Sequence, residues 1–134
     1  MEDVEAAQRL ASEFPDKVRL VRYEDLSLDT LDTVKKILSF LNLPWHSSIQ
    51  KYIASHTKSV PNPSSAPNPY TTVRNSTATV MSWVEKMSSS NVTRVQDSCL
   101  SPMKALGYKL LNSSIKASVQ LEDILVTRDK WRLQ

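Results

Sequence analysis

One glycine, Gly107, serves a chain of 134 residues, and that scarcity restricts the folds open to it. Glycine turns backbone into the left-handed region and lets it approach a bound phosphate closely. Nucleotide-binding α/β domains use several such positions in their phosphate loops, so no complete phosphate loop is present. The rest of the composition, 40% hydrophobic and 23% charged, is that of an ordinary soluble domain.

The formal charge of +3 is spread along the chain and not gathered into a run. It argues for an anionic ligand more than for DNA or RNA, since basic and aromatic residues are not interleaved. Zinc-ligand spacing and internal repeats are absent. The first fourteen residues, MEDVEAAQRLASEF, are acidic and amphipathic, unlike a signal peptide. No segment has the apolar length to span a bilayer. Cys99 stands alone, on an apolar stripe with Val92, Val95 and Met103. It reads as a buried thiol, the alternative being a bond to a cysteine elsewhere.

The stretch VRLVRYEDL, Val18 to Leu26, organises the chain. Its alternating basic and apolar half suits a short parallel-type strand, closed by the polar corner Tyr23, Glu24 and Asp25. Leu31, Val34, Ile37, Leu38 and Leu41 then recur at helical spacing. The helix is predicted to start near Ser27 or Asp29, with either side chain as cap, and to end at Leu43 before Pro44. Strand, corner and helix make half of a βαβ unit, and ligands gather at such corners. Read without a ligand, Tyr23 packs and Glu24 and Asp25 support the helix start.

A helix is predicted over residues 2–14, with Val4, Ala7, Leu10, Ala11 and Phe14 on one face and Pro15 ending it. Trp45 anchors a short segment of helical spacing, Ser47 to Ser55. From His56 to Ser82 four prolines sit among Ser, Asn and Thr, which reads as a long loop. Trp83 to Met87 look helical. Ser90 or Asn91 caps a further helix over Val92 to Leu106, kinked at Pro102. Gly107 suits the left-handed residue after it, with Tyr108 and Leu110 packing back. The tail from Asn112 holds Val119, Leu121, Ile124, Leu125 and Trp131, as a short helix or an edge segment. The domain divides into 1–55 (helix, strand, helix), a Pro-rich loop at 56–82, and a helical cover and tail at 83–134.

Four motifs stand in order: VRYEDL (21–26), ILSFLNLP (37–44), RNST followed by MSW (74–83), and VQDSCLSPMKALGYKLL (95–111). In residues, order and approximate spacing the chain resembles the C-terminal part of the sulfotransferases that use 3′-phosphoadenosine 5′-phosphosulfate. The similarity is greatest to the Golgi carbohydrate sulfotransferases acting on hexosamine or galactose. The resemblance implies an α/β, P-loop-type sulfotransferase fold, here a mostly helical C-terminal fragment with one short strand.

It implies functional residues as well. Tyr23 would lie beside the adenine ring and Thr57 would hydrogen-bond it. Arg74 would grip the 3′-phosphate, its guanidinium fork meeting two oxygens at once. Asn75 and Ser76 would face that phosphate through backbone amides. The family's phosphosulfate loop, catalytic base or acid and remaining phosphate contacts would lie upstream, leaving this chain no catalytic residue and no metal. His46 and His56 then have surface or packing roles. The sugar acceptor would be held through the missing part of the domain, in the Golgi lumen, and the chain alone would be marginally stable and turn nothing over. Sequons at Asn75, Asn91 and Asn112 fit a luminal glycoprotein, with Asn91 the expected acceptor because a glycan on Asn75 would crowd the nucleotide. The rival readings are a non-catalytic helical interaction module and another phosphate-loop enzyme such as a kinase.

Overall fold

The computed structural model describes residues 2–57, 73, 75–111, 119 and 121–125. They form eight helices: α1 (Glu2–Glu13), α2 (Tyr23–Leu28), α3 (Thr30–Phe40), α4 (Ser47–Thr57), α5 (Ser76–Lys86), α6 (Ser89–Ser98), α7 (Leu100–Ala105) and α8 (Leu121–Ile124). The chain divides into two compact units, one of Met1–Arg22 with Trp83–Gln134 and the other of Tyr23–Ser82.

In the first unit, α1 carries three acids in its first turn, where they oppose the helix dipole. It ends beside Pro15 as expected and packs on α7. Residues 18–22 do not form the expected strand, and no strand occurs among the described residues. Alternation makes a strand only where a neighbouring chain supplies a ladder, and the sole β pairing described is the isolated antiparallel bridge of Tyr108 with Leu125.

The helix expected over 92–106 is two helices broken at Cys99. Pro102 has no N–H and its ring excludes the carbonyl of the residue four back. That residue, Ser98, is the last of α6, so the proline breaks the helix where a kink was expected. The cap also lies earlier: Ser88, with its side chain accepting from the Asn91 N–H at 3.2 Å, starts α6. Cys99, expected to be buried, is half-buried, and Val95 beside it is exposed. Gln96 clamps the far end, donating to the Leu111 carbonyl at 3.0 Å and accepting from its N–H at 2.6 Å.

Gly107 does end α7, with φ 75°. Tyr108 N–H donates to the Met103 carbonyl at 2.8 Å and Gly107 N–H to the Lys104 carbonyl at 3.1 Å, the paired bonds of a Schellman end. The next carbonyls are taken by long side chains from the other end of the sequence. Gln8 Nε2 donates to Ala105 at 3.1 Å, and Arg22 Nη1 reaches Leu106 at 3.3 Å and Gly107 at 3.5 Å. The tail closes this unit through α8 and the bridge at Leu125, with Ile124 and Leu125 buried. Tyr108 is half-buried, and Leu110, expected to pack back on the helix, is exposed. Trp131 lies outside the described residues.

In the second unit the helix expected from Ser27 or Asp29 is again two. Tyr23 starts a helix instead of ending a strand, and Ser27 is buried inside it. Asp29 separates α2 from α3 and makes no side-chain cap. The junction is held by Thr33, buried, whose Oγ1 donates to the Asp25 carbonyl at 3.0 Å. Helix α3 stops at Phe40, three residues before Leu43, in a second Schellman end. Leu43 N–H donates to Leu38 at 2.9 Å and Asn42 N–H to Ser39 at 3.1 Å, with Asn42 at φ 54°. Helix α4 packs on α3, and among the described residues of this unit the buried apolar ones are Ile53 of α4 and Val80 of α5.

Candidate functional site

Of the five residues expected to meet a nucleotide, the four that are described lie in the second unit, each at a helix terminus. Tyr23 is the first residue of α2 and 55% exposed. Thr57 is the last residue of α4 and half-buried. Its Oγ1 donates to the Ile53 carbonyl at 2.8 Å. A hydroxyl has one proton and two lone pairs, so Thr57 in this state receives hydrogen bonds and gives none outward.

The loop expected through Ser82 gives way to helix at Ser76, seven residues earlier. Asn75 explains the early start. Its Oδ1 accepts from Ala78 N–H at 3.0 Å, and its carbonyl accepts from Thr79 N–H at 3.1 Å and from Thr79 Oγ1 at 2.9 Å. Asparagine is among the best N-caps for this reason. With Ala78 satisfied, Ser76 and Thr77 hold the remaining first-turn amides, which have no acceptor inside a helix. Amides at that end, with the positive pole of an eleven-residue helix behind them, suit an anion. Arg74, one residue before the cap, lies outside the described residues.

The described candidate residues thus offer, each at its own helix terminus, an exposed tyrosine, a hydroxyl left to accept, and first-turn helix amides next in sequence to an arginine. Gly107, the one glycine, closes α7.

The histidines have local partners. His56 stacks on Tyr52, ring centroids 3.8 Å apart and planes at 21°, and its Nδ1 lies 2.9 Å from the Tyr52 carbonyl and 2.9 Å from Ser55 Oγ. The pairing was legible, since residues four apart share a helix face. His46 is exposed, and its carbonyl accepts from Ile49 N–H at 3.1 Å. Among the described residues no three His, Cys, Asp or Glu gather as a metal site, and no helix is long and apolar enough to cross a membrane. Arg22, assigned to a strand from the sequence, is instead 5% exposed with its guanidinium at the end of α7.

Comparison with known proteins gives a consistent answer. Residues 4–107 match the sulfotransferase domain family. Carbohydrate sulfotransferase 1 of Mus musculus is 36% identical over 97 residues, covering 72% of this chain and 23% of that protein. The Danio rerio protein of the same name is 37% identical over 94 residues, covering 70% and 22%. Carbohydrate sulfotransferase 5 of Mus musculus is 28% identical over 121 residues, covering 87% and 30%. The chain thus spans about a quarter of the length of these relatives. No solved structure matches it significantly.

Proposed function

The chain belongs to the sulfotransferase domain family, and from that membership we propose that it supplies the 3′-phosphoadenosine side of a site that sulfates carbohydrate hydroxyls. The observation that carries this reading is the family match itself, which over residues 4–107 takes in all five proposed contact residues.

In this reading 3′-phosphoadenosine 5′-phosphosulfate supplies the sulfuryl group, and the residues here bind and orient the nucleotide. Tyr23 stacks on the adenine and Thr57 accepts from its exocyclic amine. Arg74 holds the 3′-phosphate together with the backbone amides of Asn75 and Ser76, at the start of a helix whose dipole favours that charge. Sulfuryl transfer also needs cations and amides around the equatorial oxygens and a base on the acceptor hydroxyl, as phosphoryl transfer does. In this reading those groups, and the contacts to a glycan acceptor, come from elsewhere in a P-loop-type domain. The setting is the Golgi lumen, with Asn91, exposed on α6, the glycan acceptor.

Isothermal titration of the chain with adenosine 3′,5′-bisphosphate tests the reading. Binding is expected, and Arg74→Ala is expected to weaken it about tenfold or more, the worth of a charge-assisted pair to phosphate. Absence of heat at millimolar ligand would overturn the nucleotide assignment in favour of a helical interaction module. Labelled sulfate should not move from the donor to a glycan with this chain alone; transfer would refute the division of labour.

A further inference from the structure

Residues 18–22 keep the two-faced pattern of a strand although no ladder forms there. Val18 and Leu20 are half-buried and Arg22 is buried, while Arg19 and Val21 between them are exposed, Val21 by 42%. Burial thus alternates with a period of two, and the segment lies in neither helix nor turn. It is also held at both ends within the first unit. Val18 N–H donates to the Phe14 carbonyl at 2.9 Å, and Arg22 Nη1 reaches the Leu106 carbonyl at 3.3 Å. Between these ties, no hydrogen bond among the described residues uses the backbone of Leu20 or Val21. A segment fixed in this way presents N–H and C=O groups to which another strand can add. In a strand those of Leu20 leave by one edge and those of Val21 by the other.

We propose that residues 18–22 pair antiparallel with the same segment of a second copy of this chain, about a twofold axis at Leu20. The described residues hold no strand to pair with it, whereas a second copy brings an identical edge and an identical side-chain pattern. In this register Leu20 exchanges both backbone bonds with the partner's Leu20. Arg19 stands opposite the partner's Val21 in the closely spaced, non-hydrogen-bonded position, and Val18 opposite the partner's Arg22. No like charges face one another. Slipping by one residue in either direction sets Arg19 or Lys17 against the partner's Arg22, and turns the half-buried face onto the exposed one. The sequence VRLVR therefore selects one register of self-pairing. The contact is small, so association is weak, at about 0.1 mM.

Sedimentation of the full chain at concentrations up to about 1 mM should show a monomer–dimer equilibrium. Residue-resolved amide exchange over the same range should slow at Leu20, whose N–H enters the pairing, and not at Val21, whose N–H faces the other edge. Two substitutions at the exposed position 21 test the register. Val21→Lys sets a like charge opposite the partner's Arg19, and Val21→Glu an opposite one. The dimer of Val21→Glu is expected to be about tenfold tighter than that of Val21→Lys at low salt, the gap closing in about 0.5 M salt. Both change a surface side chain, and equal thermal midpoints at dilute concentration confirm that the monomer fold is kept. A chain that stays monomeric at about 1 mM overturns the proposal. A dimer that protects Val21 and leaves Leu20 unprotected refutes it too, as does one on which Lys and Glu at position 21 act alike. Addition of a foreign strand peptide to a chain that never self-associates would assign the edge to a different partner and likewise end the proposal.

Discussion

Helices α3 and α7 end with the same pair of backbone bonds, yet the two ends are differently made. At α7 the left-handed residue is Gly107, buried, and the carbonyls of Ala105, Leu106 and Gly107 are taken by Gln8 and Arg22. At α3 it is Asn42, exposed, followed by Leu43 and then Pro44, which cannot continue a helix. Leu41 and Leu43 on either side are more than half exposed. The backbone scheme is therefore satisfied locally at both ends, and the difference lies in what surrounds it. Asparagine tolerates the left-handed region where water can reach its amide. In a closed setting, with a guanidinium against the carbonyls, a residue without a side chain is called for.

Exchanging the two residues is the strongest way to break this comparison. Gly107→Asn puts a polar side chain into a buried site and should cost about 2 kcal/mol, read as a lower urea midpoint at constant slope. Loss of the cap at the opposite kind of helix end calibrates the pair: Asn75→Ala removes the acceptor for Ala78 N–H and should cost about 1 kcal/mol by the same measurement. The reciprocal exchange, Asn42→Gly, should shift stability by less than about 0.5 kcal/mol, because an exposed left-handed asparagine already bears little strain. Equal costs at 42 and 107 would mean that burial does not separate the ends.

The two ends also show what a sequence can say. Gly107 was legible because a lone glycine after an apolar helical run has few other uses. Asn42 was not, since the apolar spacing runs on to Leu43 and only the local hydrogen bonds stop the helix earlier. The RNST segment, set within a proline-rich stretch, read as loop, although Asn75 followed by Ser, Thr and Ala carries a capping signal. Residues 18–22 alternate like a strand, but alternation records which faces are covered and cannot supply the neighbour that makes a ladder. Arg22 lay beyond such reasoning, because its acceptors are 84 residues away and periodicity is a local property. Of the candidate site, the residue types came from the motifs. What Asn75 and Thr57 do with their polar atoms came from the structure.

The bond from Thr57 to Ile53 sets a rule for whatever base comes near it. Because the side chain has spent its proton on its own helix, it welcomes an amino group and turns away a carbonyl. If the proposed site holds, such a hydroxyl would favour the six-position amine of adenine over the oxygen of hypoxanthine or guanine, a preference set by one backbone oxygen a helical turn earlier, at the end of α4.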